Sequence, residues 1–372
     1  MFIRFLSFVR ACLIYLKILP IVKRILYSPR LKIADSSNTN TFLYRIKVMI
    51  EKANFSARVD VHDNPPVHKY WMNTFILPML KKHRYESIDD YVYKNFLKVS
   101  RLAKGKKIRC VSLGTGNCDF EIKLALKLKK NGINNFVIEC IDFNKEMFKR
   151  AGIEAKKNNL TNNLIFTEAD LNSWKPKYTY DVVLAFMSLH HIVKLENLFA
   201  EIKKSLNRKI GRFIICDIIG RNGHMRWPEA LIIVNEYWRN LPKKYRFNRM
   251  LNSYQSEYLN FDCSKSGFEG IRAQEILPLL LKNFNFESFF AFANIVECFV
   301  DRAIGGNFDP TKKWDRDFIK KLHMRDIKEM KIGNLKPTHM LAVVANRKVD
   351  VLEYQRPMTP QFSVRKLNLI DL

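Results

Sequence analysis

From about residue 105 the chain alternates short apolar runs with helical stretches, and this restricts it to a sheet covered by helices. The runs are 108–113 (β1), 136–142 (β2), 163–168 (β3), 181–187 (β4) and 212–218 (β5). Helical stretches lie near 119–130, 145–158 and 194–207. Each strand is short, β-branched and nearly all apolar, as strands buried on both faces must be. A further helical run, 271–282, and two later strands, 286–292 and 338–346, complete the pattern. The expectation is an α/β fold: a doubly wound, Rossmann-like sheet of seven strands, mostly parallel, with the last one reversed. Residues 1–104 read as a helical N-terminal extension and 105–346 as the sheet domain. Insertions interrupt that domain at 220–268, an aromatic-rich cap after β5, and at 293–335, which reads as irregular. Residues 347–372 read as a surface tail.

The loop after β1 reads Val111-Ser112-Leu113-Gly114-Thr115-Gly116-Asn117. Glycine lets the backbone turn sharply and approach a ligand closely, and the turn aims the next helix N-terminus at that ligand. Asp142 closes β2, where a carboxylate accepts from both hydroxyls of a ribose, and Phe143 follows it. Gly114 and Asp142 are 28 residues apart. The usual spacing is ~20, and the long link 129–135 accounts for the difference. Ala169-Asp170-Leu171 follows β3, where an acid can accept from an adenine amino group while an apolar neighbour meets the ring. Phe186-Met187-Ser188-Leu189-His190-His191-Ile192 follows β4. All four lie at carboxyl ends of strands, where open α/β sheets bind ligands. A full GxGxxG and a Walker A lysine are both absent, which argues against a nicotinamide enzyme and a P-loop ATPase.

On these residues the span 105–346 resembles the class I S-adenosylmethionine-dependent methyltransferases, many of which carry a histidine pair after the fourth strand. The resemblance implies S-adenosyl-L-methionine as cofactor, held by Gly114, Gly116, Asn117, Asp142, Phe143, Asp170, Leu171 and Met187. Two positions depart from the family pattern. Ser112 stands where an acid usually precedes the glycine loop, and Cys118 stands at the third glycine. A narrower resemblance lies in His62-Asp63-Asn64-Pro65-Pro66, the stretch 220–229 and Phe268-Glu269-Gly270-Ile271-Arg272. These look like a bacterial methyltransferase group found beside glycan-building enzymes, so a sugar or glycan acceptor is the lead.

Methyl transfer from a sulfonium is an in-line displacement, and a hydroxyl or protonated amine acceptor must also lose a proton. His191 is the first candidate base, with His224 and His190 beside it; the alternative is that the pair only shapes the loop. Asp217, ending β5, can orient a histidine or cap a turn. Arg221, Asn222, Trp227, Glu229, Glu236, Tyr237 and Trp238 supply an acceptor pocket, Tyr237 and Trp238 reading equally as core. His62, Asp63, His68, Tyr70 and Trp71 read as a lid.

Seven cysteines without a CxxC pair indicate a reduced compartment, and neither a disulfide framework nor a metal site is read from them. A net charge of +28 admits nucleic acid, an anionic membrane or substrate, or a chain-wide drift toward lysine. Within residues 1–28, Arg10, Lys17 and Arg24 recur every seven positions and no acid precedes Asp35. That describes an amphipathic helix lying on an anionic surface, such as the inner membrane face of a cytoplasmic protein. The functional expectation is methyl transfer to an O or N atom of a polar small molecule or glycan. The alternatives are a nucleic-acid methyltransferase, against which no RNA-binding module or Asn-Pro-Pro-Tyr motif is found, and a catalytically degenerate binding protein.

Overall fold

The computed structural model describes residues 64–265 and 267–366, together with Tyr44, Arg45 and Val48. The segment 1–28, His62 and Asp63 lie outside the described residues. The expected strands form as β1 (Ile108–Leu113), β2 (Phe136–Asp142), β3 (Leu164–Glu168), β4 (Val182–Phe186), β5 (Arg212–Ile218), β6 (Asn285–Phe292) and β7 (His339–Ala345). An eighth, β8 (Glu353–Tyr354), comes from the segment read as a surface tail and pairs in parallel with β6. The order across the sheet is β8-β6-β7-β5-β4-β1-β2-β3. Only β7 runs against its neighbours, lying antiparallel to both β5 and β6. The doubly wound sheet expected from the sequence is therefore present, with one strand more.

Side-chain alternation along each strand divides the interior into two cores. Ile108, Cys110, Val182, Leu184, Ile214 and Cys216 point to one face. Val111, Leu113, Val183, Ala185, Phe213 and Ile215 point to the other. The first face is covered by α1 (Ile88–Ala103), α2 (Asp119–Lys130) and α3 (Lys145–Lys157). The second is covered by α4 (Leu195–Ser205) and α6 (Ala273–Asn283). Helix α5 (Pro228–Arg239), from the cap insertion, adds Trp238 to the first core at 1% exposure. Trp71 packs into the same core and donates from Nε1 to His323 Nδ1 at 3.4 Å, so it is structural rather than part of a lid.

The stretch 293–335, expected to be irregular, contains the 19-residue helix α7 (Lys313–Lys331). Its buried face carries Asp315, Ile319, Leu322, His323, Asp326 and Met330. The spacing is helical, but polar residues interrupt the apolar stripe and hide the period. Asp326 explains the burial of a carboxylate there. It is 0% exposed and accepts from the backbone N–H groups of Asn294, Ile295 and Val296 at 2.9, 3.0 and 3.3 Å. These donors follow β6 and would otherwise be orphaned.

Asp326→Ala should therefore cost about 3 kcal/mol, the scale of several backbone donors left without acceptors. Asp326→Asn, which keeps one acceptor oxygen, should cost less. Chemical denaturation of both variants measures the order; equal costs would show that lost volume, not lost acceptors, is responsible.

Candidate active site

One buried carboxylate organises the carboxyl edge of the sheet. Asp217, at the end of β5, is 0% exposed. Its Oδ2 accepts from the Ser188 and Leu189 amides at 2.9 and 2.7 Å, and its Oδ1 from the Ile218 amide at 2.8 Å. His190 Nδ1 donates to the same Oδ1 at 2.6 Å. The loop after β4 is thus tied to the tip of β5. Burial would raise the Asp217 carboxyl, but the His190 charge and the four donors hold it below the usual carboxylate range.

The glycine loop packs against this tied loop. A Cβ at Gly114 would lie 2.7 Å from Ser188 Cβ and 3.7 Å from Leu171 Cδ1, and its φ of +70° is left-handed. Only glycine fits there. The contact brings the tips of β1, β3 and β4 to one place. Asp142 brings the tip of β2: its Oδ2 accepts from the Gly116 amide and its Oδ1 from the Asn144 amide, both at 2.9 Å. Asn117 is turned toward α3, accepting from Arg150 Nε at 3.0 Å. Met187 adopts a left-handed φ of +53°, its amide bonded to Cys216 O at 2.7 Å. Phe143 is half-buried after Asp142. Asp170 accepts from the Tyr44 hydroxyl at 2.7 Å and the Asn172 amide at 2.8 Å, so a residue of the N-terminal extension reaches the edge of the site.

The three histidines converge on Glu269. His190 Nε2 lies 3.3 Å from Oε1, His224 Nε2 2.7 Å from Oε1, and His191 Nε2 3.7 Å from Oε2. Glu269 arrives on the turn that Gly270 permits: Gly223 N donates to Gly270 O at 2.9 Å, and Ile271 N to His190 O at 3.0 Å. Burial would lower the His190 imidazolium, but Asp217 and Glu269 overcome it and hold it up at about 10. His190 is thus charged at neutral pH and unsuited to accept a proton, which corrects its place among the candidate bases. Burial opposes ionisation of Glu269 too, yet hydrogen bonds from His190 and His224 and the field of His191 hold its carboxyl far down.

The insertion residues expected to line an acceptor pocket divide: Arg221, Trp227 and Glu229 meet around Arg365, and the others lie apart from them. Trp238 is core and Glu236 faces solvent. Trp227 lies beneath the guanidinium groups of Arg221 and Arg365, at 4.8 and 4.0 Å from their carbons. Glu229 pairs with Arg365 at 2.6 Å. Asn222 and Gln274 bond each other through side chain and backbone.

Residues 104–269 match a family profile described as a methyltransferase domain. The match spans the glycine loop, β1 to β5 and Glu269. By this match the span is a methyltransferase domain. Among solved structures, the chain is similar to the StiE O-methyltransferase, residues 961–1257, with 13% identity, a TM-score of 0.42, and 77% of this chain and 84% of that one covered. It is also similar to an O-methyltransferase from a trans-AT PKS multienzyme of Brevibacillus brevis in complex with S-adenosyl-L-homocysteine, with 13% identity, a TM-score of 0.40, and coverage of 77% and 81%. The N-methyltransferase NodS from Bradyrhizobium japonicum WM9 gives 14% identity, a TM-score of 0.30, and coverage of 46% and 72%. No curated protein matches the chain in sequence.

Two residues of the methyltransferase site carry no assigned role in the sequence reading. Glu269 lies within Phe268-Glu269-Gly270-Ile271-Arg272, with no periodicity to mark it. Glu121 is legible only as an acid in the apolar stripe of α2, beside Ile122, Ala125 and Leu128. It is 2% exposed and accepts from Ser112 Oγ at 2.6 Å. The helix behind the glycine loop thus brings an acid to the Ser112 side chain at the end of β1. Its Oε2 is buried without a hydrogen-bond partner among the described residues. Burial raises its carboxyl from 4.5 to about 7, against the opposing bond from Ser112.

The raised carboxyl makes stability depend on pH. Between about 4.5 and 7 the folded chain keeps a proton that the unfolded chain has lost, so stability falls with rising pH across that window, by roughly 3 kcal/mol in all. Glu121→Gln should melt above the parent protein at pH 8 and alongside it at pH 4.5. The same gap at both pH values would mean that Glu121 does not titrate in this range.

Proposed function

We propose that the domain transfers the methyl group of S-adenosylmethionine to a hydroxyl or amine of a polar small molecule, with sugar and glycan acceptors first among them. The observation that carries this reading is the convergence of His190, His191 and His224 on Glu269, beside the Gly114–Ser188 contact. In this reading Asp142 accepts from the ribose hydroxyls, and Leu171 and Phe143 flank the adenine. Gly114, Gly116 and Asn117 let the backbone pass close to the cofactor, and Met187 lines the reacting end. Asp170 acts at the adenine end while Tyr44 holds it. The fit to a cation-bearing cofactor rests on Glu121, whose unpartnered oxygen suits the ammonium group that Ser112 cannot pair.

His224 has the geometry of the base. Its Nε2 donates to Glu269, which fixes the tautomer, and its Nδ1 is buried without a hydrogen-bond partner, leaving a lone pair for the acceptor's proton. His191 stands toward the cofactor, its field reaching Asp142. His190, charged and tied to Asp217, positions the loop. When bound, the cofactor supplies the electrophilic methyl; the chain's own groups align the acceptor, hold it away from water and take up its proton.

The distribution of charge favours a small acceptor over nucleic acid. Lys130 on α2, Lys145, Lys149 and Lys156 on α3, Lys203 and Lys204 on α4, and Lys313, Lys320 and Lys331 on α7 are all exposed. Four separate helices share them, as a general enrichment in lysine produces and a nucleic-acid groove does not. Among the described residues no helix is long and apolar enough to cross a membrane.

Isothermal titration with S-adenosylmethionine tests the cofactor assignments. Asp142→Ala should weaken binding by ~1.5–3 kcal/mol, the range for hydrogen bonds to a charged group. Affinity should rise several-fold between pH 6 and 8 as Glu121 ionises, and Glu121→Gln should abolish that rise. A transfer assay with labelled methyl against sugar nucleotides, lipid-linked glycans and RNA then identifies the acceptor class. Incorporation into RNA alone would overturn the small-molecule reading.

A further inference from the structure

The same cluster has the composition and spacing of a metal centre. His190, His191 and Glu269 each offer one ligand atom, all within 4.8 Å of one another. Two ligands held 2.1 Å from a common ion at tetrahedral or octahedral angles lie about 3.0–3.4 Å apart. The His190–Glu269 separation of 3.3 Å already meets this, and the His191–Glu269 separation of 3.7 Å needs only a small closure. Two imidazoles and one carboxylate with open positions form a donor set suited to first-row divalent metals.

A second observation is independent of that spacing. Histidines that bind metals almost always donate their other ring N–H to a carboxylate or carbonyl, which fixes the tautomer and turns the free nitrogen to the ion. Asp217 does this for His190: Nδ1 is engaged at 2.6 Å, and Nε2 is the nitrogen that faces Glu269. The carboxylate providing that contact is itself fixed by three backbone amides. His190 is therefore oriented as a ligand, whatever occupies the space before it.

We propose that His190 Nε2, His191 Nε2 and the Glu269 carboxylate bind one divalent transition-metal ion, with zinc, cobalt and manganese as the chemical class. The ion replaces protons on the imidazoles, so the carboxylate faces a metal rather than imidazolium. An acceptor hydroxyl completes its coordination and becomes more acidic. His224 Nδ1 takes the hydroxyl proton. The oxygen's electron pair forms the O–CH3 bond as the S–CH3 bond breaks, and that bonding pair returns to sulfur, leaving S-adenosylhomocysteine. The inference deepens the methyl-transfer reading and rests on it, but its test reads metal rather than cofactor.

Full-length protein freed of metal with a chelator is titrated with Co2+ at pH 8 and followed by visible absorption. One equivalent should bind and give d–d bands of imidazole–carboxylate coordination. His191→Ala and Glu269→Gln should each weaken Co2+ binding at least tenfold while still binding S-adenosylmethionine, which also shows that they fold. Asp142→Ala should lose cofactor affinity and keep the Co2+ signal. A parent protein that binds the cofactor but no Co2+ overturns the metal site and leaves the methyl-transfer reading intact. Co2+ binding that survives both His191→Ala and Glu269→Gln overturns it as well. A parent protein that takes up Co2+ but not the cofactor would sink the methyl-transfer reading instead.

Discussion

The carboxylate of Asp217 is the constraint on which the site depends. A buried charge is tolerated only when it is fully hydrogen-bonded, and here Ser188, Leu189, Ile218 and His190 all donate to it. The requirement acts in both directions. The loop after β4 must lie over the tip of β5 to satisfy the acid, and Ser188 then lies where only a glycine can pass on the β1 side. The cofactor loop and the histidine cluster are thus set by one interaction in the middle of the sheet. The neighbouring backbone at Met187 accepts a left-handed φ of +53°. Such conformations persist only where surrounding contacts over-determine them.

Much of this fold was legible because buried parallel strands leave little choice of side chain. β2 and β5 are buried along their whole length, and their runs of apolar residues announce themselves. The reversed last strand followed from counting. What hid was structure whose buried face is polar. Helix α7 carries Asp315, His323 and Asp326 inward, so its period dissolves into an apparently irregular stretch. β8 is two residues long and exists only because the edge of β6 is there to receive it. No local pattern could announce it.

The site was legible to the same degree and for the same reason. Residues that act through the backbone, such as Gly114, and those at strand tips, such as Asp142, follow from element boundaries. Residues that act through tertiary contact do not. Ser112 read as a departure from the family pattern because its partner, Glu121, lies in the first turn of the next helix, and nothing local ties the two together. Cys118 is the other departure: at φ +59° it adopts the left-handed backbone that a third glycine would have supplied. This costs an L-residue on the order of 1–2 kcal/mol, set against a side chain that is fully buried.

Glu269 depends on support from outside the sheet. The turn that presents it is held by Gly223, which donates to Gly270 O, while a Cβ on Gly270 would come 3.0 Å from His224 Cε1. Two positions further on from His224, Arg226 is 5% exposed and bonds Glu297 Oε2 at 2.8 Å and Cys298 Sγ at 3.0 Å. Glu297 in turn accepts from Thr338, at the start of β7, at 3.1 Å. A chain of polar contacts therefore runs from the sheet through Glu297 of the second insertion to Arg226 in the cap, two residues from His224. Buried charges held this way are costly to move singly, since each displaced member leaves its partner unpaired. The cap is consequently a fixed wall of the site. Selection of an acceptor must then come from the shape it presents.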